Sequence, residues 1–378
     1  MTLLDRHIFK SVFLSCAGAV LLLVFMLMLV NILRDLMGPM LAGQLPVTKF
    51  LSLSALLVPF AASFALPMGM LTGILLTLGR LSADNEITAM RAAGISMPRL
   101  TRPVFLLAGL GAALGLYVNF EAMPHAKVVY ERDLTAAVHA NPLNLIVPRT
   151  FIRQFPGYVL YIGDKQQGTL KDFWLWKFDA NHHVILFERA ASGRVDYDAK
   201  TNQILVTLAN FQVERLDERK PEDFTDSPSV ATAEVSDPVA LPLDTLFGRI
   251  ELRQKLKWMT YAELRSPLGL NQALKDEDGN ERRARMMVEL TIQEKFTLAF
   301  AVLSFALIGV PLGIQVSRRE TSANLGLAVT LALAYYFLTV MVGWLDRHPE
   351  YRPDLLLWAP NLIFIALGAW LFRRLSRR

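Results

Sequence analysis

The chain has 378 residues, 53% of them hydrophobic and 19% charged, with a formal net charge of +5. That balance excludes an ordinary soluble enzyme, and it is too mixed for a protein made of membrane helices alone. Residues 121–290 hold 22 Lys+Arg and 25 Asp+Glu, a net −3, while the rest holds 17 and 9, a net +8. The basic excess therefore belongs to the apolar part and is not a nucleic-acid footprint.

Six uncharged windows are long enough to cross a bilayer: 11–33, 50–79, 103–120, 296–317, 321–345 and 355–372. The first holds Cys16, the only cysteine, so no disulfide framework is available. It reads as a membrane anchor and not as a signal peptide, since its apolar core is long and no small-residue cleavage site follows. The second window is long for one span; Pro59 and Pro67 predict a kinked or tilted helix, with two re-entrant halves as the alternative. Placing the N-terminus in the cytoplasm puts Arg6, Lys10, Arg80, Arg91, Arg99, Arg102, Arg318, Arg319 and four C-terminal arginines inside. The short outer loops then keep only Arg34, Lys49, Arg347 and Arg352. This asymmetry predicts cytoplasmic termini and an outward-projecting block at 121–290.

Between windows two and three lies RLSADNEITAMRAAGIS (80–96). Ser82 is read as its helix cap, with Asp84 and Glu86 in the first turns. Ile87, Met90 and Ala93 or Gly94 form a narrow apolar face, and Gly94 followed by Pro98 marks the stop. The expected helix covers about 82–94. It either lies along the lipid surface or docks into a groove of another protein. A carboxylate at Glu86 and a face without aromatics favour docking.

The block 121–290 changes period. LIVPRTFIRQ, GYVLYIG, DFWLWKF, HVILFERA and QILVTLANFQVERL predict short strands. Turns are expected at Pro156-Gly157, Gly163-Asp164, Asp179-Ala180-Asn181 and Ser192-Gly193. The fold class expected is an α-helical membrane protein with six transmembrane helices and an inserted all-β domain, an antiparallel sheet, a sandwich or a jelly roll. The segment 217–240 reads as an exposed loop or an irregular sheet edge, Asp244 and Thr260 as helix caps, and Glu281–Lys295 as a helix continuous with the fourth span. The β domain's aromatics either fill a closed core or line a groove for an amphipathic ligand or a partner's strand.

No phosphate-binding glycine loop, zinc-protease signature, Cys-x-x-Cys pair or nucleophile elbow occurs. His182-His183 falls in an expected turn and reads as solvated. The windows lack the intramembrane carboxylates and histidines of an ion-coupled carrier. Three readings stay open: a lipid-export permease subunit, a non-transporting assembly scaffold and, less favoured, a secondary transporter.

LPMGMLTGILLTLGRLSADNEITAMRAAGIS (66–96) resembles the second span and coupling helix of the lipopolysaccharide-export permease family, the LptF/LptG type. NPLNLIVPRTFI (141–152) and FAVLSFALIGVPLGIQVSRRE (300–320) add weaker matches. Asn85-Glu86-Ile87-Thr88 looks closer to the LptF side and the start LLDRHIFK to the LptG side; the LptF side is favoured. The resemblance implies three segments: spans one to three with the coupling helix (1–120), a periplasmic jelly-roll-like domain with a helical return (121–290), and spans four to six with a basic tail (291–378). It further implies a bacterial inner-membrane subunit that is not itself an enzyme. It would pair with a sister permease in a heterodimer, a dimeric cytoplasmic ABC ATPase and a periplasmic bridge protein with a jelly-roll domain, with lipopolysaccharide as cargo. No cofactor is expected in this chain; ATP and Mg belong to the partner ATPase.

Residue by residue, the resemblance implies that Glu86 contacts the ATPase, with Asp84, Met90 and Arg91 as neighbours. Arg34 matches basic residues at the outer end of span one, where a guanidinium can pair with a lipid phosphate or serve as an interfacial anchor. Asp35 stands where a second basic residue is expected. Phe25, Met28 and Leu29 of span one, with Leu333, Tyr336, Phe337 and Val340 of span five, would contact acyl chains at a lateral gate. Gly309, Pro311 and Gly313 either let span four flex or simply pack.

Overall fold

The computed structural model describes residues 3–41, 45–140, 149, 151–153, 157–166, 169–179, 183–198, 203–215, 229–236, 238–242, 255–276, 280–316, 321–344 and 352–377. Six helical stretches are long and apolar enough to cross a membrane: Leu3–Leu41, Val47–Ala83, Met97–Leu134, Glu281–Gln315, Asn324–Gly343 and Pro353–Arg377. They are spans one to six. The chain divides into two compact units, one holding most of the spans and the other holding Asp35–Ser52 with Glu131–Arg253. Asp244, His182, Arg318, Arg319 and Arg347 of the sequence reading lie outside the described residues.

Span two is one kinked crossing, as its prolines predicted. Its helix breaks at Leu57, restarts at Val58 with Pro59 in the first turn, and carries Pro67 inside. Span four is a single helix, Glu281–Val316, continuous from the return segment. Spans two and four form the centre. Ile74, Leu78, Val302, Ala306 and Val310 share one core cluster with Ile8, Val12 and Cys16 of span one and Val104 and Ala108 of span three.

Small residues let these helices approach. Gly69 and Gly73, spaced as Gly-x-x-x-Gly, press on span one: a Cβ at Gly69 would lie 2.7 Å from the Val20 nitrogen, and one at Gly73 2.5 Å from the Cys16 nitrogen. In lipid, where apolar surface gains nothing from leaving water, such backbone proximity is what holds helices together. Gly309 and Gly313 meet Leu71, Ile74, Leu75 and Leu78 of span two, which supports packing over flexing as their role. Gly368 of span six sits against the backbone of Leu307 and Ile308.

At the opposite end from the termini, the return segment docks on span four. Thr260 caps the helix Tyr261–Arg265 as expected, and its hydroxyl and Glu263 form a reciprocal capping box. Phe120, Tyr261 and Phe296 pack edge to face and tilted, with centroids 4.9–6.3 Å apart. Beside them the buried Lys295 ammonium donates to the Met259 carbonyl at 2.6 Å. A buried cation needs such a partner, and here it ties the returning chain to the membrane helix.

The inserted unit is an antiparallel sheet in the order β1-β2-β3-β4-β5-β6, with β7 also pairing β5. The strands are Phe151–Ile152, Tyr158–Gln166, Thr169–Phe178, Val184–Asp198, Gln203–Arg215, Ser229–Val235 and Val239–Pro242. They are longer than the sequence suggested. The expected turns at Gly163-Asp164 and Ser192-Gly193 lie inside β2 and β4. Both glycines mark close backbone approach instead of chain reversal: a Cβ on Gly163 would meet Asp172 at 3.0 Å, and one on Gly193 the Thr207 carbonyl at 3.1 Å. Gly157 does turn the chain, at φ +77. His183 is held by Asp179, whose carboxylate accepts from its backbone N–H at 2.8 Å. One face of the sheet packs Leu160, Ile162, Phe173, Leu175, Val206 and Leu208 into a core.

Candidate functional site

The segment between spans two and three forms a helix over Glu86–Ala92, shorter than the expected 82–94. Ser82 does not cap it. Span two continues to Ala83, and the Ser82 hydroxyl donates to the Ile314 carbonyl of span four at 2.8 Å. The chain reverses at Asn85, which adopts φ 60, a left-handed geometry that Asn tolerates. The stop falls as predicted. Gly94 has φ +87, its N–H bonds the Arg91 carbonyl at 2.9 Å, and the Ile95 N–H bonds the Met90 carbonyl at 3.1 Å. That is a Schellman closure, with Ile95 and Met90 both packed on the bundle core.

The helix therefore has two unlike sides. Ile87 is 4% exposed and Met90 half-buried, both against core residues of spans one to four. Burying Ile87 stabilises the attachment by about 1.5–3 kcal/mol. Asp84 and Glu86 are exposed and Arg91 is half-buried. Of the four residues proposed from sequence, Met90 thus anchors the helix, while the two carboxylates face away. Alongside lies a cavity of about 1230 Å³, lined among others by Asn85, Thr88, Arg91, Ile314, Gln315 and Leu375. The ends of spans two, four and six meet there.

At the other end of span one the helix loosens into a π turn over Ile32–Leu36, which carries Arg34 and Asp35. Insertions of this kind re-aim side chains and recur at functional sites. The Arg34 guanidinium donates to the Asn31 side-chain oxygen at 3.0 Å, and the Asn31 amide donates to the Leu27 carbonyl at 2.7 Å. Asn31 is a positioning residue that the sequence reading missed. Its signal was a lone amide one turn before an arginine in an otherwise apolar helix.

Phe25, Leu29, Leu333, Phe337 and Val340 are exposed on the protein surface, and Met28 is half-buried. Tyr336 differs. It packs with the core around span five, and its hydroxyl donates to the Phe64 carbonyl of span two at 3.4 Å. Spans one and five are the least enclosed, with 17% of the apolar window buried in each against 67% for span four. Each has one face against span two and one face left for lipid or another chain.

Six apolar helices with a β insert between the third and fourth define a multi-pass membrane protein with an inserted β domain. The chain matches the family model described as "Lipopolysaccharide export system permease LptF/LptG" over residues 6–374, and it belongs to that family. It is similar to the lipopolysaccharide export system permease protein LptF of Escherichia coli K12, of Escherichia coli O157:H7 and of Shigella flexneri. Each is 25% identical over 360 residues, covering 93% of this chain and 89% of the relative.

Proposed function

We propose that this chain is one permease subunit of an ATP-driven exporter that draws lipopolysaccharide from the bacterial inner membrane and passes it to a periplasmic bridge. The termini and the helix Glu86–Ala92 would face the cytoplasm, where a separate dimeric ABC ATPase would hydrolyse ATP with Mg. A sister permease would cover the open faces of spans one and five, and the two chains together would form the lateral gate. Arg34, aimed by Asn31, would meet a lipid phosphate at the outer surface, with Phe25, Leu29, Leu333, Phe337 and Val340 along the acyl chains.

The observation that carries this reading is the two-sided helix between spans two and three. Its Ile87 and Met90 lock it to the bundle, its neighbour Ser82 is bonded to span four, and Asp84 and Glu86 face outward. A lever needs a rigid attachment on one side and a contact surface on the other, and this helix has both. Glu86→Ala should leave insertion intact while the co-purifying ATPase and ATP-dependent lipid release are lost. Unchanged release would sink the coupling role. A photocrosslinker at Phe25 or Phe337 should label lipopolysaccharide during turnover; labelling at neither would remove the gate from the proposal.

A further inference from the structure

The sheet of the inserted unit has a second face that its core does not use. Across six strands, side chains stand in register: Phe151 opposite Tyr161, Tyr161 opposite Trp174, Trp174 opposite Arg189, Arg189 opposite Gln212, and Gln212 opposite Thr232. Direct cross-strand partners share a face, so this is one continuous row. Its first half is aromatic. Phe151 and Tyr161 lie 5.1 Å apart by centroid, Tyr161 and Trp174 6.1 Å, and the adjoining Trp176 is 5.8 Å from Trp174.

Its second half opens into a groove of about 800 Å³, with Asp172, Arg189, Asn210, Gln212, Thr232 and Glu234 in its lining. That volume lies within the roughly 300–1,000 Å³ typical of small-molecule sites. All six side chains are exposed. Where the two halves meet, the Trp174 indole N–H donates to Asp172 at 2.8 Å, and the Arg189 guanidinium sits 4.8 Å over the same ring. The wall of the groove is thus fixed before any ligand arrives.

We propose that this groove is a saccharide-binding site, taking the sugar portion of a glycolipid. The chemistry selects that occupant. Two amides offer a donor and an acceptor each, which matches vicinal hydroxyls. The aromatic patch beside them offers an apolar surface to the C–H face of a pyranose. Asp172 and Glu234 against Arg189 leave the lining with one excess negative charge, which disfavours phosphate and favours neutral sugars. An acyl chain has no use for six polar side chains, and an added protein strand pairs at a sheet edge and not on a face.

The identity of the sugar rests on the export reading above; the groove's preference for hydroxyl-rich ligands does not. The test uses the full chain in lipid nanodiscs, titrated with core oligosaccharide freed from lipopolysaccharide by mild acid, before and after dephosphorylation. Tryptophan emission should change saturably, equally well or better with the dephosphorylated probe. Asn210→Gly combined with Gln212→Ala should weaken binding by roughly tenfold or more. Glycine at 210 keeps the φ of 51 without strain, so a folding failure is avoided. No saturable change at millimolar probe, a strict requirement for phosphate, or equal binding by the double variant overturns the proposal. So does a photocrosslinker at Thr232 that captures protein and no glycan in cells. If Phe25 or Phe337 still labels lipopolysaccharide while the oligosaccharide fails to bind, this inference falls alone. If the oligosaccharide binds and neither span labels, the site stands and the export reading falls.

Discussion

Gly73→Ala is the sharpest probe of how the bundle is held. The new methyl carbon would lie 2.5 Å from the Cys16 nitrogen, whereas ordinary contact begins at 3.4 Å, so the spans must part by about 0.9 Å (3.4 − 2.5). A gap of 0.5–1 Å forfeits about a quarter to a half of each dispersion contact it opens. Overpacking of this kind typically costs about 1–3 kcal/mol. Gly18→Ala is the matched control: the same substitution in span one, with nothing within 4 Å of the added carbon. There alanine gains up to about 1 kcal/mol of helix propensity. Gly73→Ala gains the same propensity, so the two variants should differ by the overpacking cost of about 1–3 kcal/mol, read as a drop of several degrees in the thermal unfolding of detergent-purified protein for Gly73→Ala alone. Gly69→Ala added to it should cost less than the sum, because both glycines press on the same stretch of span one. Equal melting of Gly73→Ala and Gly18→Ala would refute the close-approach argument.

Two further outcomes follow from local chemistry. Thr260→Ala removes the capping box of the return segment and should cost about 0.5–2 kcal/mol, seen as faster hydrogen exchange over 256–265 with the β strands unchanged. Glu188 stands on the core face of the sheet between Leu175 and Val213. Its Oε2 is buried without a hydrogen-bond partner among the described residues, and burial pushes its carboxyl pKa up against the pull of Arg215. Between the usual carboxylate range and this raised value the folded state binds more protons than the unfolded one. Stability must then fall as pH rises through that window. Glu188→Gln should flatten this dependence and slow exchange of strands 184–215 near neutral pH; an unchanged pH profile would contradict it.

Much of the architecture could be read directly from the residues, because its causes are local. Six uncharged runs set six spans, since length and apolarity alone decide whether a helix fits a bilayer. Gly94 and Thr260 announced their caps through backbone and hydroxyl chemistry that needs no distant partner. The same local reading failed at Ser82. That hydroxyl can accept from the N–H groups of a helix start of its own or donate to a carbonyl 232 residues away, and only the fold chose the second. It failed again at Gly163 and Gly193, where a glycine that looks like a turn proved to be a place where strands approach closely.

The sequence by itself determined the membrane crossings, the β insert, the short helix between spans two and three and the family resemblance, because each is written in contiguous residues. Tertiary structure alone decided which side of that helix is free, that Met90 and Tyr336 face inward, that Asn31 aims Arg34, and that six strands align aromatic and polar side chains into one row. Those outcomes depend on register and on which helix lies beside which. Strand alternation limits a side chain to one of two faces and helical periodicity limits it to a stripe, but neither says what the face will meet.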